Sequence, residues 1–399
     1  IYLKRAKIAL FIFLKRTLRE VLFLFKHHYF RVFLIFLCTE LCINCSLYFD
    51  CKMTTNSTML KRTLFFILSI VLVSCTKGNS DTLFTQLDAS ETGIYFKNEV
   101  KNGENMNIFK YRNFYNGGGV AIGDINNDGL ADVFFTSNQG ENKLYLNKGN
   151  FKFEDISQKS GIVGKKAWST GVVMVDINGD GFLDIYVCDA GSNIDAIRKS
   201  QLYINNKNNT FTEKAAEYNL ADTGITTHVA FFDYDKDGDL DVLVGSRSVP
   251  KEFGMPASSY LWINDGMGHF TDQTKQLAPG LLEVGMLRDI AMLDLNGDKQ
   301  EEIVCVGDFM APVAFEIKNK KLVKYSTDLS NFSGIWAAVS AADFNQDGKM
   351  DLILGNVGQN SSCFNQSILP IKIRVNDFDS NGFLDKVMSK TLNGEEVPF

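Results

Sequence analysis

Beyond residue 120, one acidic pattern recurs six times, and it limits the chain to folds built from like units. In each copy, oxygen-bearing residues stand at positions one, three and five, a glycine usually follows at six, and an acid stands at nine. The copies are Asp124, Asn126, Asp128, Asp132; Asp176, Asn178, Asp180, Asp184; and Asp233, Asp235, Asp237, Asp241. A degraded fourth is Asp294, Asn296, Asp298, Glu302, with Lys299 in place of the glycine. The fifth and sixth are Asp343, Asn345, Asp347, Asp351 and Asp377, Asp379, Asn381, Asp385. Steps between first residues are 52, 57, 61, 49 and 34.

The flanks repeat as well. Short apolar runs precede the first five loops (Val120–Gly123, Val172–Val175, Val229–Phe232, Ile290–Leu293, Val339–Ala342) and succeed them (Val133–Phe135, Ile185–Val187, Val242–Val244, Ile303–Val306, Leu352–Leu354). They are mostly rich in β-branched residues and bounded by turn residues, so they predict buried strands. After the first three loops come Leu144–Asn147, Leu202–Asn205 and Leu261–Asn264, then a turn and Phe151–Asp155, Phe211–Glu213 or Phe270–Asp272. Each unit therefore reads as four strands, with the acidic loop between the first two. The fold class predicted is all-β: a β-propeller of four-stranded blades over residues 83–399. Phe84–Leu87, running on to Thr92-Gly93-Ile94, echoes Phe153–Ile156 running on to Ser160-Gly161-Ile162, and predicts an outer strand that completes another blade. Phe399 comes soon after the sixth loop, so the expectation is an incomplete propeller of five blades plus part of a sixth.

The loops carry the chemistry. Hard cations such as Ca²⁺ take about six to eight oxygens from carboxylates, amide carbonyls, backbone carbonyls and water. Positions one, three and five put three side-chain oxygens on one side of a tight turn, and the acid at nine closes the cage. An EF-hand shares this beginning but needs a glutamate at position twelve between helices. Here position twelve is Phe135, Val187, Val244, Cys305, Leu354 and Met388, and the flanks are strand-like. The competing reading is a set of Asp/Asn/Gly turns that need no metal. It accounts less well for 21 acidic residues in six short loops, which repel one another without a cation. All 24 loop residues named above are therefore candidate ligands for several Ca²⁺ ions, the fourth set being the weakest match.

Charge agrees with that reading. The formal charge is −6, but residues 1–74 hold 11 Lys/Arg and three acids, which leaves a net of −14 on the rest. An acidic body repels phosphate backbones, which argues against nucleic-acid binding. Only His228 and His269 lie beyond residue 74, which argues against a His-rich transition-metal site. Cys188 and Cys305 lie in apolar runs and read as small hydrophobes, and the cysteine spacing suggests no disulfide framework.

The N-terminal region reads as an address. Lys61-Arg62, the apolar run Leu64–Val73 and then Ser74-Cys75 fit the signal-peptide plan and resemble a bacterial lipobox. Residues 59–74 would be the signal peptide, Cys75 the lipidated first residue and 75–82 a tether, placing an outer-membrane lipoprotein in the cell envelope, periplasmic or surface-exposed. Residues 1–58 start at Ile1 and have charges interrupting every long apolar run; they read as upstream sequence, with an extra membrane-associated segment as the alternative.

The loops with their strands resemble the FG-GAP/VCBS repeats of integrin-α-type propellers. The run Tyr111–Asp124 more specifically resembles bacterial relatives of cartilage acidic protein, which often carry an ASPIC/UnbV domain and of which many are lipoproteins. The resemblance covers roughly residues 83–399 and implies a Ca²⁺-loaded propeller, displayed outside the cell, that binds something. Three functions are open: a binding module for a glycan or protein, a propeller-based polysaccharide-active enzyme, or an envelope scaffold. No G-x-S-x-G elbow or triad-like neighbourhood supports the enzyme. Trp168, Trp262 and Trp336 are available either to stack on sugars or to pack between blades.

Overall fold

A computed structural model describes residues 83–398 apart from 105, 112, 163–167, 192–197, 250–251, 359–370 and 393. Residues 1–58, the signal segment 59–74, Cys75 and the tether lie outside the described residues. The strands all belong to the compact unit Gln86–Phe399.

Four antiparallel sheets of four strands succeed one another along the chain. Blade 1 is β1 (Val120–Gly123), β2 (Asp132–Phe135), β3 (Lys143–Asn147) and β4 (Phe153–Asp155). Blade 2 is β5 (Ser169–Val175), β6 (Asp184–Asp189), β7 (Gln201–Asn205) and β8 (Phe211–Glu213). Blade 3 is β9 (Ile225–Phe232), β10 (Asp241–Ser248), β11 (Tyr260–Asn264) and β12 (Phe270–Asp272). Blade 4 is β13 (Met286–Leu293), β14 (Glu302–Asp308), β15 (Val313–Lys318) and β16 (Lys321–Tyr325).

The last two units differ from the expectation of five full blades. Among the described residues the fifth has two strands, β17 (Trp336–Ala342) and β18 (Asp351–Asn356). The sixth has three, β19 (Lys372–Asn376), β20 (Asp385–Leu392) and β21 (Glu395–Pro398). Most of the connection between them, residues 359–370, lies outside the described residues.

The core is a series of layers between blades, and strand alternation builds it. On β6, Ile185 and Val187 join the layer shared with blade 1, while Tyr186 and Cys188 join the layer shared with blade 3. On β10, Val242 and Val244 face blade 2, and Leu243 faces blade 4. Second strands of blades 2–4 are thus buried on both faces, which is why they read as continuous apolar runs. Cys188 and Cys305 are free thiols inside these layers, as expected of small hydrophobes.

First strands of blades 1–5 lie side by side, and hydrogen bonds link neighbouring blades there, the first of them from Thr136 just after β2. Thr136 Oγ1 donates to Thr170 O at 2.6 Å, Thr170 Oγ1 to Thr226 O at 2.9 Å, and Thr227 Oγ1 to Leu287 O at 2.9 Å. Val339 N–H donates to Asp289 Oδ2 at 2.9 Å. In blades 2–5 the pairing of first and second strands slips by one residue near the same end, opposite the acidic loops. The extra residue lies within Thr170-Gly171, then at Thr227, Arg288 and Ala337.

The expected strand at Phe84–Leu87 is not formed, and Leu83, Phe84 and Leu87 are exposed. The echo lies in the turn after it. Helix α1 (Ala89–Thr92), capped by Asp88, ends in a left-handed Gly93 set against the Phe153 carbonyl of β4. Helix α2 (Ser157–Ser160) ends likewise in Gly161, set against the Phe211 carbonyl of β8. The N-terminal turn therefore sits on blade 1 as blade 1's own turn sits on blade 2.

The run Tyr111–Gly119 packs on the ends of blades 1 and 2. Phe114 is fully buried, and Tyr111 OH donates to Ala190 O at 2.9 Å. A side chain at Gly118 or Gly119 would meet the Thr136 or Thr170 carbonyl oxygen at 2.3 or 2.5 Å, so only glycine allows this approach. Trp168 is buried here, edge-on to Tyr111, with Nε1 donating to Asn116 Oδ1 at 3.0 Å. Trp262 and Trp336 are half-buried against interblade layers. All three tryptophans pack in the fold.

Candidate metal-binding loops

The six acidic loops share one backbone. Position four is left-handed in each: Asn127, Gly179, Lys236, Gly297, Gln346 and Ser380, with φ between 60° and 82°. Position six is left-handed too, from Gly238 at 97° to Lys299 at 68°. The fourth loop therefore departs in sequence but not in shape. Lys299 adopts the conformation that glycine takes elsewhere, at a local cost of about 1 kcal/mol.

The first aspartate organises each turn. Its two carboxylate oxygens accept the backbone N–H groups of positions five and six. In loop two these are Asp180 N at 2.9 Å and Gly181 N at 2.8 Å; in loop four they are Asp298 N at 3.1 Å and Lys299 N at 2.9 Å. The same pair occurs at Asp124, Asp233, Asp343 and Asp377. The side chain at five accepts the N–H of seven, for example Leu130 N to Asp128 Oδ1 at 2.9 Å. These bonds aim the oxygens of positions one, three and five into one concave turn.

The acid at position nine, read in the sequence as closing the cage, also has a structural role. Asp132, Asp184 and Asp241 are buried, and each holds two backbone N–H groups. One comes from position two: Ile125 at 3.0 Å, Ile177 at 3.2 Å and Tyr234 at 2.8 Å. The other comes from the last residue of the third strand: Asn147 at 2.7 Å, Asn205 at 2.7 Å and Asn264 at 2.9 Å. Position nine thus ties the loop to its blade. In loop four, Glu302 accepts Leu295 N–H and the Asn296 amide; Asp351 and Asp385 accept Phe344 and Phe378 N–H. Burial pushes the Asp184 carboxyl up to about 7 and the Asp241 carboxyl up to about 6, against the pull of these N–H groups; neighbouring acids push the same way.

Two further contributors escaped the sequence reading. The asparagine that ends the third strand also gives its side chain to the loop: Asn147 Nδ2 donates to Ala131 O at 2.8 Å and Asn205 Nδ2 to Leu183 O at 3.0 Å. Its recurrence in Leu-Tyr-Leu-Asn, Leu-Tyr-Ile-Asn and Leu-Trp-Ile-Asn was the available signal. Position two is the other. Ile125, Ile177, Tyr234 and Leu295 enter the layer shared with the next blade and anchor the turn, whereas Phe344 and Phe378 are exposed.

Among the described residues, three acidic groups bring ligand oxygens within 4.8 Å of one another at Asp233, Asp235, Asp237 and at Asp377, Asp379, Asp385. Loops one, two, four and five place a neutral asparagine at position three. The donor set is oxygen throughout, with no sulfur or imidazole, and so fits a hard divalent cation. Adjacent loops also touch: Asn127 Nδ2 donates to Gly181 O at 2.8 Å. A cavity of about 290 Å³ lies between loops two and three, lined by Asp176, Asn178, Tyr218, Asp239 and Asn264 among others. Asp239 Oδ1 is buried there without a hydrogen-bond partner.

Comparison with known proteins agrees with the repeat. The FG-GAP-like repeat matches at residues 124–187, 192–244 and 294–354, stretches that between them hold the first five acidic loops. Cartilage acidic protein 1 of Xenopus tropicalis is 27% identical over 217 residues, covering 53% of this chain and 32% of that protein. The Homo sapiens protein of the same name is 35% identical over 72 residues, 18% of this chain and 11% of that protein. The chain therefore spans a third or less of the curated relatives it matches. The crystal structure of the V. cholerae biofilm matrix protein Bap1 superposes with a TM-score of 0.30 at 15% identity, covering 59% of this chain and 34% of that one. Among the described residues, four four-stranded blades, a two-stranded and a three-stranded unit, one loop geometry used six times and this family match make the chain an FG-GAP repeat protein.

Proposed function

We propose that this protein is a calcium-loaded binding module of the cell envelope, without catalytic activity of its own, held at a membrane by lipid on Cys75 and directed to a glycan or protein ligand. The observation that carries the reading is the repetition of one oxygen-lined turn in all six loops. A turn needed only to reverse the chain has no use for so many acidic and amide oxygens on one concave side. Asp233, Asp235 and Asp237, and their counterparts at Asp124/Asn126/Asp128, Asp176/Asn178/Asp180, Asp294/Asn296/Asp298, Asp343/Asn345/Asp347 and Asp377/Asp379/Asn381, would hold the ions. When bound, Ca²⁺ neutralises carboxylates that otherwise repel one another.

The position-nine acids hold the turns in place whether or not an ion is present. Six ions would add +12 to the −14 of the body. Extracellular modules typically bind Ca²⁺ with dissociation constants of about 10⁻⁴ to 10⁻³ M, which suits an extracytoplasmic protein. With the loops at one end of the blades, the opposite end is left for a ligand.

The test is a melting curve of the purified protein in millimolar Ca²⁺ and in excess chelator, and then glycan-array binding in Ca²⁺. Binding to the folded state alone raises stability as the ion exceeds its dissociation constant, by about 2.7 kcal/mol per site at a hundredfold excess. A calcium-dependent rise in the melting temperature supports the metal reading. Coincident curves overturn it.

A further inference from the structure

Away from the acidic loops, two strand irregularities bring two guanidinium groups onto one carboxylate. Arg288 is the extra residue where β13 slips against β14, since Leu287 pairs with Gly307 and Asp289 with Val306. Arg247 lies at the slip near the end of β10, between Ser246 and Ser248. At the corresponding first-strand positions of the other blades stand Thr170-Gly171, Thr227 and Ala337, all small. A bulge re-aims its side chain, and here both arginines converge on Asp308 at the end of β14.

The geometry leaves one positive charge in excess. Arg247 donates Nε and Nη2 to Asp308 Oδ2, each at 2.9 Å, and Arg288 donates Nη1 to Asp308 Oδ1 at 3.3 Å. Asp308 is thereby engaged at both oxygens, with its side chain 4% exposed, while the Arg288 side chain is 26% exposed. The adjacent acid, Asp289, is not available to Arg288. It faces His228 Nδ1 at 3.1 Å and accepts the N–H groups of Ile290 and Val339. Nε and Nη2 of Arg288 have no acceptor among the described residues. A half-buried guanidinium with two unused parallel donors is a fork shaped for a carboxylate.

The neighbours of this fork have ring faces. Phe309, directly after Asp308, has φ 56°, a left-handed conformation that a bulky residue rarely adopts and that is found at ligand sites. Its ring meets Phe253 edge-on, at a centroid distance of 6.4 Å. Phe253 belongs to the connection after β10, which reaches blade 6: Glu252 pairs with Lys386 at 2.9 Å, and Gly254 lies against Ile373 and Val375. Phe253 and Phe309 thus form an aromatic pair that begins one residue after Asp308.

We propose that Arg288, supported by Arg247 and Asp308, binds the carboxylate of an acidic sugar, with Phe309 and Phe253 flanking the sugar ring. The proposal rests on the binding-module reading above and names the ligand class for it. A fork of donors beside aromatic faces matches a uronic acid unit better than a free anion, which would need no apolar wall.

The test is calorimetry of the whole protein with an oligogalacturonate, with the same oligosaccharide methyl-esterified, and with tetra-aspartate. The acid is expected to bind. Esterification and Arg288→Gln should each weaken binding by about tenfold or more, the range for losing a charge-assisted hydrogen bond. Arg288→Lys should fall between, and melting curves check that both variants fold. If Arg288→Gln does not fold, the comparison of acid with ester on the unaltered protein still decides. Equal binding of acid and ester, or of Arg288→Gln and the parent, overturns this site and leaves a glycan-binding role standing. Binding of tetra-aspartate but neither sugar overturns it in favour of a peptide ligand. No binding of any probe overturns this site, while the wider binding role is decided separately by the glycan array.

Discussion

The hydroxyl of Thr170, in the slipped segment of β5, donates to the backbone carbonyl of Thr226 on β9 at 2.9 Å, both residues being buried. This bond joins the first strands of blades 2 and 3 without any apolar contribution. Thr170→Val keeps the shape and removes the donor that the Thr226 and Cys188 carbonyls share. The expected loss is about 1 to 3 kcal/mol by urea denaturation. A loss within error would mean that the interblade layers alone hold the blades together.

Loop three separates ion binding from hydrogen bonding. Asp237 is exposed and accepts only Asp239 N–H through Oδ1, at 3.1 Å. Asp237→Ala is therefore expected to cost about 1 kcal/mol or less in chelator and to abolish most of the Ca²⁺-dependent rise at this site. Asp241→Ala instead strands the N–H groups of Tyr234 and Asn264, costing about 2 to 5 kcal/mol with or without Ca²⁺. Melting all three proteins in both conditions reads this difference; parallel behaviour of the two variants would count against separate roles.

Lys299 occupies a left-handed position with φ 68°. Lys299→Gly relieves that strain, offset in part by the greater freedom of glycine in the unfolded chain, and is expected to stabilise by about 0.5 to 1 kcal/mol. Denaturation in chelator isolates the backbone effect. Destabilisation there would show that the lysine side chain contributes more than its backbone costs.

His228 gives a pH dependence with a definite sign. Burial lowers its pKa below the ordinary 6.5, only partly opposed by the charge of Asp289. Above pH 6.5 both folded and unfolded states hold a neutral ring, and nothing is lost. As pH falls through 6.5 the unfolded chain takes up the proton first, so stability declines toward the lower folded-state value. His228→Gln should flatten this decline between pH 7 and pH 5, measured as the difference from the parent so that other groups cancel. Identical slopes would mean that the folded ring titrates normally.

The repeat made much of the fold legible. Third strands at Leu144–Asn147, Leu202–Asn205 and Leu261–Asn264 are found within one residue of the expected bounds, because an apolar run before a turn-forming asparagine is a local signal. The hairpin of β15 and β16 was missed: its turn is Asn319-Lys320, both with positive φ, and lacks the glycine that marks such turns. Phe84–Leu87 misled because it copies the aromatic start of β4 with no neighbouring strand to pair with. Within the loops, position one was legible because its residue type is invariant among the six. Position nine was legible as an acid but not as a tie to the third strand, since that partner lies 15 to 23 residues away. The Arg247–Asp308–Arg288 group was invisible, because a one-residue slip in strand pairing leaves no trace in hydrophobic pattern.

In blades 2–4 the second strand gives one row of side chains to the blade before it and the alternate row to the blade after. This restricts how such a chain can change in length. A single residue inserted into β6 would exchange the two rows, sending Tyr186 toward the space shaped for Ile185 and Val187. Indels are thus tolerable in the connections or as a whole repeat, which brings both of its rows along. The unequal steps between the acidic loops, 49 to 61 residues across the first five, fit a history in which the connections vary and the strands stay locked.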